Sequence, residues 1–192
     1  MKKLLTSAVV ASSLFSGVAF AETDGIFAGV NFAYGTLKID DNSDDRNAYR
    51  YGIVGGYKQF FTEEFGARYY VNIDTGTKYT NGNTGPGGAQ VTRFDIGVNA
   101  DALYNFLKSG DMEYGVFAGL SLDYANNKQK FKGGDASANG LDLGVNFGLR
   151  AIYAEAHGVE LTSRFGFVGP EFDGGAKATT PYSVGLRYTF SF

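Results

Sequence analysis

The stretch YSVGLRYTFSF, Tyr182 to Phe192, alternates without a break. Tyr182, Val184, Leu186, Tyr188, Phe190 and Phe192 fall on one parity, and Ser183, Gly185, Arg187, Thr189 and Ser191 on the other. A period of two belongs to an extended strand with one apolar and one polar face. The same period recurs and predicts eight extended segments, at 25–38, 49–60, 64–75, 91–105, 112–124, 140–153, 158–168 and 181–192. In the fifth the apolar parity collects Met112, Tyr114, Val116, Ala118, Leu120, Leu122 and Tyr124; in the sixth it collects Leu141, Leu143, Val145, Phe147, Leu149 and Tyr153.

Charge occupies the other parity: Arg50, Lys58, Arg68, Asp74, Arg93, Asp95, Asp101, Glu113, Asp123, Asp142, Arg150, Glu160, Arg164 and Arg187. Once the first charge on each of seven segments sets a phase, the remaining seven agree by chance about 1 time in 100. Lys38 departs from the rule, where the first segment runs into a loop.

Two architectures suit such strands, a soluble β-sandwich and an outer-membrane barrel. The gaps at 39–48, 76–90, 125–139 and 169–180 are long, and those at 61–63, 106–111 and 154–157 are short. Long outer loops alternating with short periplasmic turns mark a barrel. Aromatic residues gather at strand ends on the apolar parity. Tyr57, Tyr104, Tyr114, Tyr153 and Phe192 lie beside the short turns, and Tyr34, Tyr51, Phe94, Tyr124, Phe167 and Tyr182 beside the long loops. Two such belts match the two interfaces of a bilayer. The segments are long enough to cross tilted, and their number is even. The expected fold is all-β, an eight-stranded antiparallel up-and-down transmembrane β-barrel with its apolar face on lipid. Within it, Arg150 on the sixth segment is expected to pair with Glu160 on the seventh across the short turn.

The N-terminus supplies the compartment. Lys2 and Lys3 precede an apolar run that ends in Ala19-Phe20-Ala21, a small-x-small cleavage site. Residues 1–21 are therefore read as a secretory signal peptide and 22–192 as the barrel domain. Without Lys2 and Lys3 the chain has 15 basic against 20 acidic residues, so nucleic acid is not an expected partner. Absence of cysteine rules out disulfides and thiolate metal sites. No cofactor is implied.

The stretches RFDIGVNADALYNF (93–106), YGVFAGLSL (114–122), LGVNFGLRAIYAEAHGVEL (143–161) and the terminal YSVGLRYTFSF resemble the Helicobacter outer membrane protein family. That resemblance implies an outer-membrane β-barrel in a family where some members are adhesins and others porins. The extended surface domain and cysteine pair of the larger members, where adhesin binding is expected, are missing from this chain.

Candidate chemistry is sparse. An eight-stranded bore is just wide enough for side chains to fill. The inward charges are seven basic and seven acidic, and inward glycines such as Gly52, Gly97 and Gly144 leave room for arginines to reach across. Buried charges persist when paired, so the balance predicts an ion-paired plug. An ion-selective pore would favour an excess of one sign. His157, the single histidine, is placed in the short periplasmic turn, where water exposure fits better than a nucleophilic site. The run from Asp40 to Asp45 carries oxygen ligands at alternate positions but has Asp45 and Tyr51 where a calcium loop needs glycine and glutamate. Lys128, Lys130 and Lys132 could meet lipid phosphates or simply be solvated. TNGNTGPGG, 80–88, reads as a flexible loop.

These readings favour a non-enzymatic surface barrel with a structural or interaction role, over a narrow passive channel or a lipid-modifying enzyme. Expected partners are outer-membrane lipid and lipopolysaccharide, together with the outer-membrane assembly machinery. The machinery would read the terminal strand through Tyr188, Phe190 and Phe192.

Overall fold

The computed structural model describes residues 22–39, 46–77, 90–131, 134–171 and 177–192. Eight strands follow in order: β1 (Gly25–Ile39), β2 (Arg46–Phe60), β3 (Phe65–Gly76), β4 (Gln90–Ser109), β5 (Met112–Phe131), β6 (Gly134–Tyr153), β7 (His157–Val168) and β8 (Ala178–Ser191). Each pairs antiparallel with its neighbours in sequence, and β8 returns to β1, so the sheet closes into a barrel. The closing seam runs from Phe27 opposite Ser191 to Ile39 opposite Ala178, with one irregularity between Thr36 and Lys38. Closure leaves no sheet edge facing hydrocarbon, where an unpaired backbone group costs several kcal/mol.

Parity sorts the two faces as alternation requires. Ile26, Val30 and Phe32 on β1, Leu120 and Leu122 on β5, and Leu186 on β8 point outward and are exposed. The charged parity points into the bore. Aromatic side chains pair across strands on the outer face. Phe65 stacks on Tyr104 with ring centres 4.5 Å apart, and Phe32 on Tyr49 at 5.4 Å.

The largest departure from the strand spacing lies at the outer end. β4, β5 and β6 each run 20 residues, whereas β3 and β7 run 12. The segment 125–139, expected to be a long loop, is instead mostly strand. β5 and β6 stay paired as far as Phe131 opposite Gly134, so only 132–133 separate them. β4 continues alongside to Gln90 opposite Lys130. A three-stranded ribbon thus stands roughly 20 Å beyond Tyr124, at about 3.4 Å per residue. The outward parity of β5 changes there from Leu122 and Tyr124 to Asn126 and the exposed Lys128, so lipid contact ends near Tyr124. At the periplasmic end the expected turn 106–111 shrinks to 110–111, because β4 bulges between Asn105 and Leu107 and then pairs on to Ser109. His157 lies not in the turn but at the start of β7, opposite Tyr153.

The core of this fold is the bore. It is mostly polar, with two apolar patches. Phe27, Val54 and Tyr70 cluster in the periplasmic half. Leu37, Ala48, Val91, Ala138 and Ala178, from five different strands, form an apolar layer under the outer mouth.

Candidate functional site

All fourteen charged residues singled out above lie inside the barrel. Twelve are buried outright, and the side chains of Arg164 and Arg187 are 12% and 11% exposed. Two further charges join them, Glu22 ahead of β1 and Arg46 at the start of β2, both buried. The described bore therefore contains eight carboxylates and eight cationic side chains.

These charges form linked tiers. At the periplasmic mouth Glu22 accepts from Lys58 Nζ and Arg150 Nη2, each at 2.7 Å. Asn105 Nδ2 donates to the carboxylates of both Glu22, at 3.2 Å, and Glu113, at 3.1 Å. In the next tier Glu160 is the hub. Arg68 bridges it to Asp101, Arg187 Nη1 lies 3.4 Å away, and Arg150 Nε lies 3.8 Å away. Arg150 stands directly opposite Glu160, yet its shortest contact is with Glu22. Arg68 also lies over the Phe117 ring, 4.5 Å from its centre.

Above these, amides carry the network. Asn146 donates to Asn99 at 3.0 Å, Asn99 to Asn72 at 2.6 Å, and Asn72 to Asp74 at 2.6 Å and Asp123 at 3.1 Å. A cavity of about 70 Å³ opens beside them, lined by Asn31, Asn72, Asp74, Asp123 and Arg164 among others. It is polar and has room for a few waters. Toward the outside, Arg93 joins Asp95 to Asp142, Arg50 reaches Asp95 at 2.6 Å, and Arg164 holds both Asp123 and Asp142. The apolar layer lies beyond them.

Two glycines show how tightly these groups are fitted. A Cβ on Gly97 would fall 1.8 Å from Asp123 Oδ1, and one on Gly144 would fall 2.7 Å from Arg164 Cζ. Both positions are kept free of side chain by the charges facing them.

Strand register alone does not reveal the pairing. Asp74 stands opposite Asp95, and Asp123 opposite Asp142, arrangements that are repulsive in isolation. Arg50 and Arg93 meet Asp95, Arg93 and Arg164 meet Asp142, Arg164 meets Asp123, and Asp74 accepts from the Asn31 and Asn72 amides. Glu22 escapes the strand pattern because it lies ahead of any alternating segment, three residues before β1. Arg46 was missed because β2 starts three residues earlier than its apolar parity suggests.

Glu22 sits outside the membrane-spanning strands. Burial pushes its carboxyl up, but Arg150 and Lys58 together outweigh this and hold it below the usual carboxylate value of 4.5. A carboxyl depressed on folding stabilises the fold above its unfolded pKa, and that contribution is lost as pH falls through the folded value. The barrel's unfolding temperature in detergent is therefore expected to drop on acidification below about 4.5. Glu22→Gln should flatten that part of the profile. Identical acid profiles for variant and parent would contradict the assignment.

The remaining candidates do not meet in one place. His157 points outward, its Nδ1 2.8 Å from the Tyr188 hydroxyl and its ring edge-on to Phe190. Tyr188 and Phe192 are exposed on the outer surface, with Phe192 edge-on to Phe190 at 5.2 Å. Residues 1–21, the acidic run 40–45 and the glycine-rich 80–88 lie outside the described residues, as do the side chains of Lys130 and Lys132.

Comparison with known proteins agrees with this geometry. A family model described as Helicobacter outer membrane protein matches residues 52–192. The crystal structure of Neisserial surface protein A superposes with a TM-score of 0.58 at 15% identity, covering 89% of this chain and 100% of that one. A major outer membrane protein from Thermus thermophilus gives 0.52 at 14% identity, covering 88% and 99%. At such identities the likeness is one of fold. No curated protein matches the sequence.

Proposed function

The chain belongs to the Helicobacter outer membrane protein family and resides in the bacterial outer membrane, and from that premise we propose that it is a closed barrel whose work is done at its surface. It carries no flow and performs no reaction. It serves as a structural or interaction module, with lipid and lipopolysaccharide against its outward face. Its exported precursor loses residues 1–21, and the assembly machinery reads its C-terminal strand.

The observation that carries this reading is the filled bore. Eight carboxylates share the bore with eight cationic side chains, seven of the cations in direct ion pairs, and the apolar layer of Leu37, Ala48, Val91, Ala138 and Ala178 lies toward the outer end. A conducting pore needs a continuous wet path with sites weak enough to release ions. Here a polar cavity of about 70 Å³ is lined in part by the ion-paired Arg50, Asp123, Arg164 and Arg187. The three-stranded ribbon of β4, β5 and β6 gives the outer surface an ordered element beyond the lipid.

Planar-bilayer recording tests this. Purified protein is expected to give no steady conductance at neutral pH. Reproducible openings that scale with salt, and that change with Arg68→Gln or Arg93→Gln, would establish the channel reading instead.

A further inference from the structure

We propose that the α-amine released on Glu22 by cleavage after Ala21 is a structural charge of the finished barrel, pairing as an ammonium with Glu113 to seal the periplasmic mouth. The inference rests on reading residues 1–21 as a cleaved leader.

The geometry begins with an anomaly at Glu113. This β5 carboxylate is 5% exposed, yet among the described residues its one cationic side-chain contact is Lys108 Nζ at 3.1 Å, on a side chain 43% exposed at the rim. Asn105 supplies one neutral hydrogen bond, at 3.1 Å. Its other contact is the main-chain nitrogen of Glu22, 3.2 Å from one carboxylate oxygen and 3.4 Å from the other. Glu22 is itself 3% exposed. Its own carboxylate takes the direct ion pairs of Lys58 and Arg150, the buried cations of this tier, and neither makes a direct pair with Glu113.

As a peptide nitrogen, this atom has one hydrogen to share between two oxygens and carries no charge. Hydrolysis of the Ala21–Glu22 amide consumes one water. Ala21 leaves as a carboxylate, and Glu22 keeps an amine that takes up the remaining proton. The resulting ammonium has three hydrogens and a positive charge. Charge-assisted bonds of this type are roughly twice as strong as neutral ones. A buried carboxylate otherwise bears an uncompensated desolvation cost. Cleavage thus creates, at the nitrogen in contact with both Glu113 oxygens, a buried cation to add to the rim lysine Lys108. The first residue of the processed chain then joins β2, β4, β5 and β6 through Lys58, Asn105, Glu113 and Arg150.

The test uses full barrels refolded in detergent from two chains, one beginning at Glu22 and one at Ala21. The second differs by one residue and has an uncharged amide at the critical nitrogen. The Ala21-first barrel is expected to unfold roughly 3–8 °C lower. In the Glu113→Gln background the two barrels should unfold together, since the partner charge is gone. Equal unfolding temperatures with Glu113 intact, or a difference that survives Glu113→Gln, would overturn the pairing. Intact mass of protein extracted from outer membranes tests the processing step, with residues 22–192 expected. Any other first residue would overturn the proposal, while the closed-bore reading would still stand or fall on conductance.

Discussion

Glu160→Gln is expected to unfold in detergent roughly 6–20 °C below the parent, a conversion of about 3–5 kcal/mol for breaking a buried ionic cluster. Gln matches Glu in size and retains a carbonyl acceptor, so no cavity opens. What disappears is the negative charge that Arg68, Arg187 and Arg150 share. Glu160 is fully buried on β7, and among the described residues no other carboxylate contacts Arg187. Among the described residues, the three guanidinium groups would then keep Asp101 on Arg68 and Glu22 on Arg150 as their ion-pair partners. Lys108→Gln at the exposed rim serves as the control and should shift unfolding by less than about 3 °C. Heat-induced loss of β-sheet circular dichroism reads both. A Glu160→Gln barrel as stable as the parent would show that the ionic tiers are passengers of a fold held by strand pairing alone.

Deleting Phe192 is expected to lower the amount of inserted protein in cells several-fold while leaving the folded barrel nearly as stable. Phe192 remains 50% exposed, touches Phe190 edge-on, and donates one backbone hydrogen bond to the Ile26 carbonyl at 3.0 Å. Full burial of such a ring contributes at most about 1.5–3 kcal/mol, and here half of that is realised. The unfolding temperature should therefore fall by less than about 6 °C. Its larger role is expected before folding. Tyr188, Phe190 and Phe192 form a repeat that a partner can read by strand addition, through backbone pairing and alternate pockets. Surface labelling of intact cells measures insertion, and thermal unfolding of purified protein measures stability. Equal surface levels would exclude the signal role, and a large stability loss would assign the residue to packing.

Architecture was legible in the sequence because lipid imposes a strict rule on every outward position. Leu120, Leu122 and Tyr124 could not alternate with Ser121 and Asp123 by any requirement of a helix. The same rule made the inward charges visible, since Arg187 or Glu160 on the other parity would meet acyl chains. Where lipid ends, the rule ends. The ribbon from Ala125 to Phe131 and Gly134 to Asn139 is water-bathed strand whose sequence is polar on its outward face, so its periodicity reads as loop. Partner choice inside the bore was equally hidden. An arginine spans enough of an eight-stranded lumen to skip a strand, as Arg50 does from β2 to Asp95 on β4 and Arg93 from β4 to Asp142 on β6. Local spacing identifies such residues as inward and says nothing of whom they meet.

The aspartates that face each other across β3 and β4, and across β5 and β6, bear on how the barrel forms. A β3–β4 hairpin on its own places Asp74 against Asp95, and a β5–β6 hairpin places Asp123 against Asp142. In the β3–β4 hairpin Arg93 already meets Asp95 and Arg50 from β2 adds a second cation, whereas the β5–β6 pair stays electrostatically frustrated until Arg93 from β4 and Arg164 from β7 swing in from outside it. Half-closed sheets are thereby penalised twice, once for open edges and once for like charge. Strand-by-strand zipping would climb in energy until the ring is nearly complete, so insertion and closure should behave as a single cooperative transition with no populated half-barrel.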